Sequence, residues 1–190
     1  MTLHRKESEP SMSDAEIISF TKVSLPNGWL SNMSPHAVFH MGRTWRTCEA
    51  LFQSLRFDDK SIIEEIFAEK SPMAAKMVAK SNARSMRVAP QSPEDIGNMS
   101  QVLRCKIVNH QDLRRMLYDT GTATIVENVS KRPHGSGMFW GAKLLADGSW
   151  EGENMLGKLW MELREDGTPP GLATDAGRRS ASCNELHPKA

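Results

Sequence analysis

TWRTCEALFQSLRF, residues 44–57, carries the chain from an extended segment into a helix and governs how the rest is read. Thr47 stands where a capping hydroxyl is wanted. Cys48, Leu51, Phe52 and Leu55 then recur at the spacing of a helix's apolar side, which predicts a helix over 48–58. Glu49, Gln53 and Arg56 follow at i, i+4 and i+7 as one polar stripe. Two readings fit Glu49. In the first turn of a helix a carboxylate meets the partial positive charge of free N–H groups, worth about 0.3–1 kcal/mol. If the stripe faces a cleft rather than solvent, Arg56 holds Glu49 ionised, Gln53 orients a ligand, and Glu49 is a catalytic carboxylate.

Upstream of this helix, EIISFTKV (16–23) reads as a strand, and AVFHMGRTWR (37–46) reads as a hairpin turning at Met41-Gly42. Downstream, Ser61 starts a helix over 62–69 and Ser71-Pro72 starts another that runs to about Lys80. Ser92-Pro93 opens a third, in which Ile96, Met99, Val102, Leu103 and Ile107 share a face. A short helix over 112–118 and a β-branched strand, ATIVENV (123–129), come next. A glycine-rich stretch over 135–152 then leads to a last helix from about Asn154. The fold class this implies is mainly α with a small β-sheet (α+β). One domain is expected over 16–166, between disordered tails at 1–15 and 167–190 that are poor in large apolar side chains.

Composition narrows the function. Lys and Arg (24) nearly cancel Asp and Glu (23), so no global field draws the chain onto DNA or an anionic membrane, and an anionic ligand must be small or locally bound. The opening MTLHRKESEPSMSDAE lacks the apolar core of a secretory signal, and no stretch nears 18 uninterrupted apolar residues. The expectation is a cytoplasmic protein without membrane contact. The motifs of P-loop, Rossmann, nucleophile-elbow and zincin sites are absent, the cysteines form no CxxC pair and the histidines lack ligand spacing. No metal and no cofactor are expected.

Three further features carry candidate chemistry. GWLSNMSPH (28–36) sets Ser31 and Asn32 between large apolar residues, which suits a loop that turns polar groups toward a ligand and equally an ordinary turn. MFWGAKLLADGSWEGENMLG (138–157) alternates flexible backbone with aromatic faces at Trp140, Gly141 and Asn154, fit either to cradle a nucleoside or to pack as loop and core. Lys106 sits at the edge of an apolar helix stripe. Snorkelling is the default there, and a partly buried lysine with a lowered pKa would bind phosphate, donate a proton or attack an aldehyde carbon.

The ordered series GWLSNMSPHAV, MGRTWRTCEALFQSLRF, SPMAAKMVAK, LRCKI, LYDTGTATIVE, FWG and GENMLGKLWMELR resembles the YbiA-like family, also called the NADAR (NAD and ADP-ribose) domain, from about residue 18 to 165. The resemblance implies a mainly helical N-glycosidase. Its substrates would be ribosylamino-pyrimidine phosphates of riboflavin biosynthesis or ADP-ribosylated guanine, the latter within nucleic acid, and the alternative is a non-catalytic ADP-ribose or nucleotide-binding module. It also implies a required carboxylate at Glu49, with Lys106 as the candidate for a Schiff-base route through a ring-opened ribose. Ser31, Asn32, Trp45, Gln53, Trp140, Gly141 and Asn154 match its other positions and are the candidate substrate-binding residues, with Arg56 and Lys80 as phosphate partners. The chain departs from the family pattern at Gln91, where relatives commonly have a tryptophan, and at Gly137, where many have an aspartate. It departs also at Ala50, Arg56 and Ala79-Lys80.

Overall fold

The computed structural model describes residues 16–167. Strand β1 (Ile17–Phe20) leads through a 3-10 turn at Gly28–Leu30 into a hairpin of β2 (Val38–His40) and β3 (Arg43–Trp45). Five helices follow: α1 (Cys48–Ser54), α2 (Lys60–Ala68), α3 (Pro72–Ser81), α4 (Pro93–Asn109) and α5 (Gln111–Asp119). The chain then forms β4 (Thr124–Glu127), the one-turn helix α6 (Gly137–Trp140), the short pair β5 (Lys143–Leu144) and β6 (Trp150–Glu151), and the closing helix α7 (Met155–Glu165). The fold is mainly α with little β structure, and its strands form three two-stranded pairs rather than one sheet.

Local chemistry accounts for most boundaries. Met41 (φ 47°) and Gly42 (φ 80°) both take positive φ, as a two-residue hairpin turn whose twist matches its strands requires. The hydroxyls of Thr47, Ser71 and Ser92 accept from the backbone N–H groups of Ala50, Ala74 and Asp95 and so cap α1, α3 and α4. Helix α2 departs from the expected start at Ser61. Asp59 is its cap, accepting at Oδ1 from Ser61 N (2.8 Å) and Ser61 Oγ (2.6 Å), so the serine hydroxyl is spent as a donor and the helix begins earlier. Helix α1 also ends sooner than expected, at Ser54.

Every residue of α1 is buried, because α2, α3 and α4 all pack around it. Leu51, Phe52, Ile66, Leu103 and Trp160 belong to the apolar cluster so formed. Strands β1 and β4, more than a hundred residues apart in sequence, pair in parallel with Phe20 opposite Glu127, and α7 packs on β4. Among the described residues no helix is long and apolar enough to cross a membrane. The expected tails lie outside the described residues, Gly167 excepted.

Candidate active site

The cap that starts α1 also delivers Glu49 into a cavity. Glu49 is only 1 % exposed, its backbone N–H donates to Asn32 O (2.9 Å), and its carboxylate is held from two sides. Asn32 Nδ2 donates to Oε2, and Gln53 Nε2 donates to Oε1 at 2.8 Å. The Lys76 ammonium of α3 lies 4.0 Å from Oε1. The predicted stripe is therefore real, and it faces inward. It does not pair Arg56 with Glu49. Arg56 donates Nη1 to Gln53 Oε1 (3.0 Å), and its Nε and Nη2 grip Asp95 at 2.8 and 2.7 Å. Asp95 is fully buried, so this bidentate pair holds Arg56 as a strut behind Gln53 rather than as a free phosphate ligand.

These side chains, Asp95 excepted, line a cavity of about 400 Å³ that Glu127, the last residue of β4, lines as well. Glu127 is half-buried, and Asn154 Oδ1 accepts from its backbone N–H at 3.1 Å. Burial pushes its carboxyl up to about 7; the Lys76 ammonium draws it down, and the Glu49 charge adds to the rise. Two carboxyls and one ammonium thus share a cavity. Reasoning from sequence missed both Glu127 and Lys76. ATIVENV signals a strand and nothing more, and only the pairing with β1 shows where its terminal carboxylate goes. Lys76 lies one helical turn before the expected Lys80. Lys80 lines a neighbouring cavity together with Met77 and does not line the one that holds Glu49.

The Ser31–Asn32 loop is set from beneath by Lys106, which is fully buried. Its ammonium donates to Trp29 O, to Ser31 O at 2.9 Å and to Ser34 Oγ at 2.7 Å. Burial lowers its pKa to about 8. Lys106 is not on the cavity wall, and its bonds hold the loop that carries Ser31 and Asn32.

Trp140 does line the cavity, edge-on to Phe52 with centroids 5.6 Å apart. Three other candidates do not. Trp45 is buried in the core against Phe67, centroids 5.1 Å apart, because the β2–β3 hairpin turns it toward α2. Gly141 serves packing, since a Cβ there would lie 2.4 Å from Glu127 O. Asn154 sits in left-handed backbone (φ 49°) and ties α7 to β4, donating Nδ2 to Ile125 O (2.8 Å) while it accepts from Glu127 N. Among the described residues no group of three or more His, Cys, Asp or Glu side chains is placed to hold a metal ion.

The family model for the NADAR domain matches residues 19–166. The chain belongs to the NADAR family. N-glycosidase YbiA of Escherichia coli is 34% identical over 149 residues, covering 78% of this chain and 87% of the relative. N-glycosidase Npun_R5314 of Nostoc punctiforme is 33% identical over 152 residues, covering 78% and 91%. The maize chloroplastic riboflavin biosynthesis protein PYRR is 32% identical over 184 residues, 87% of this chain and 28% of that longer protein. The NMR structure of E. coli YbiA superposes with a TM-score of 0.66 at 33% identity, covering 80% of this chain and 84% of that one.

Three of this chain's departures from the NADAR pattern fall on the cavity wall: Arg56, Gln91 and Gly137. Gln91, in left-handed backbone (φ 65°), lines it while its N–H donates to Asp95 Oδ2 at 2.8 Å, and Gly137 lines it at the start of α6.

Proposed function

We propose that this NADAR-family N-glycosidase hydrolyses the bond between the anomeric carbon of a phosphorylated ribose and the nitrogen of a base or amine. Ribosylamino-pyrimidine phosphates of riboflavin biosynthesis and ADP-ribosylated guanine are the two substrate types in view. The observation that carries this reading is the pair Glu49 and Glu127 on the wall of one cavity, with Lys76 beside Glu49.

Departure of the base leaves positive charge on the ribose, and a carboxylate fixed beside the anomeric carbon stabilises it. Glu49 has that role. Asn32 and Gln53 each donate to one of its oxygens, which sets its direction before a substrate arrives. Glu127 supplies the proton. Its carboxyl, raised to about 7, still carries one near neutral pH and passes it to the leaving nitrogen as the C–N bond breaks. Water then adds to the anomeric carbon, and the proton it releases returns to the Glu127 carboxylate. The products are a ribose with a free anomeric hydroxyl and the released amine.

The 400 Å³ cavity suits a ribose with part of its base, and the maize relative's name supports the riboflavin branch. A second reading, binding of ADP-ribose without turnover, draws on Gln91 and Gly137 at the wall. Mass-spectrometric product analysis of both substrate types separates the two. The expected result is release of free base, reduced at least a hundredfold in Glu49→Gln with far-ultraviolet circular dichroism unchanged. Tight binding of ADP-ribose with no base released from any substrate would establish the second reading instead.

A further inference from the structure

A second cavity, of about 480 Å³, adjoins the catalytic one and shares Thr21, Ser31, Met33 and Glu127 with it. It lies where the parallel strands β1 and β4 end together, and Asn128 N donates to Phe20 O (2.7 Å) just beyond the pair. The two segments that leave the strands are pinned. Leu25 N donates to Lys22 O at 3.1 Å, and Gly28 lies so close beneath that a Cβ there would sit 2.4 Å from Val23 O. On the other side Ser130 N donates to Asn128 Oδ1 (3.0 Å) and Arg132 N to Val129 O (2.7 Å).

Lys22, Lys131 and Arg132 line this cavity, and Glu127, at the seam with the catalytic site, is the single acidic residue that does. Among the described residues none of these three cations has an ion-pair partner, whereas Arg43, Arg56, Arg87 and Arg104 each pair with a carboxylate. The formal net charge of the chain is only +1, so no global field accounts for these three unpaired, exposed cations beside one cavity.

We propose that this cavity is the phosphoryl subsite: Lys22, Lys131 and Arg132 bind the phosphate or diphosphate on the 5′ side of a ribose whose anomeric carbon lies between Glu49 and Glu127. This rests on the hydrolytic reading for the position of the ribose, but its electrostatics do not depend on turnover. Planar, forked Arg132 and the two ammonium groups match phosphate oxygens from different directions.

The test is the ratio of KM values for a dephosphorylated and a 5′-phosphorylated ribosylamine, in wild type and in a Lys22→Ser/Lys131→Ser/Arg132→Ser variant. Wild type should prefer the phosphorylated substrate, and the variant should lose at least tenfold of that preference, mainly in KM. An equal preference in both proteins, or none in wild type, would overturn the subsite while leaving hydrolysis standing. If neither protein turns over any substrate, calorimetric titration with ribose 5-phosphate and with ADP-ribose still decides. At least tenfold weaker binding in the variant supports the subsite, and unchanged binding refutes it. A loss for both ligands assigns the cations to a single phosphate. A loss for ADP-ribose alone assigns them to the diphosphate.

Discussion

Glu127→Gln removes the acid while keeping nearly the same shape. If Glu127 protonates the leaving nitrogen, kcat should fall by about 10²–10⁴-fold. The pH profile is the sharper measure. With the carboxyl at about 7, about half of the wild-type protein holds the proton at that pH, and kcat/KM, which reports the free enzyme, should fall about tenfold per pH unit well above it. In the Gln variant that descending limb should vanish. The causes of the raised value give two further signs. Lys76→Met removes the charge that draws the carboxyl down, so the Glu127 midpoint should rise; Glu49→Gln removes a like charge, so it should fall. Carbon-13 NMR titration of labelled glutamate carboxyls reads both shifts without needing activity. Stability moves in the same sense. The folded state holds this proton more tightly than the unfolded one, so its contribution is complete below about 4.5 and is lost as pH rises through about 7. A wild-type kcat/KM that is flat from pH 6 to about 9, or a descending limb retained in Glu127→Gln, would refute the assignment.

Two structural supports make separate predictions. Lys106→Met strips the donor from Trp29 O, Ser31 O and Ser34 Oγ and should destabilise the fold by about 3 kcal/mol in denaturant titration. Because burial lowers Lys106 from 10.5 to about 8, the wild type should gain stability as pH rises from about 8 toward 10.5, a gain the variant lacks. Borohydride reduction in the presence of substrate should leave Lys106 unmodified, and an adduct there would return it to the chemistry. Asn154→Ala removes the acceptor for Glu127 N and the donor to Ile125 O and places alanine at φ 49°. Calorimetry should show a loss of about 3 kcal/mol with a lowered kcat, and Asn154→Gly should recover only the backbone part. An Asn154→Ala protein as stable as wild type would remove Asn154 from its role.

What the sequence by itself determined is local. Thr47, Ser71-Pro72 and Ser92-Pro93 start helices because the hydroxyl that satisfies the first free N–H groups belongs to the same short segment. Met41-Gly42 closes its hairpin for the same reason, as both residues that must take positive φ are adjacent. The Glu49, Gln53, Arg56 stripe follows from the helical repeat alone, and the ordered series of segments pointed to the family now matched over 19–166. The tertiary structure decided which way that stripe faces, since burial of α1 depends on α2, α3 and α4 together. It also replaced Lys80 with Lys76, moved Trp45 and Lys106 off the cavity wall, and gave Arg56 to Asp95. Above all it brought Glu127 to the cavity through the pairing of β1 with β4. That contact joins residues more than a hundred positions apart in sequence, and no capping rule or periodicity within either strand encodes its partner. The helices were legible because their hydrogen bonds close within a few residues, and the second carboxyl was not because its place is set by a pairing across the whole fold.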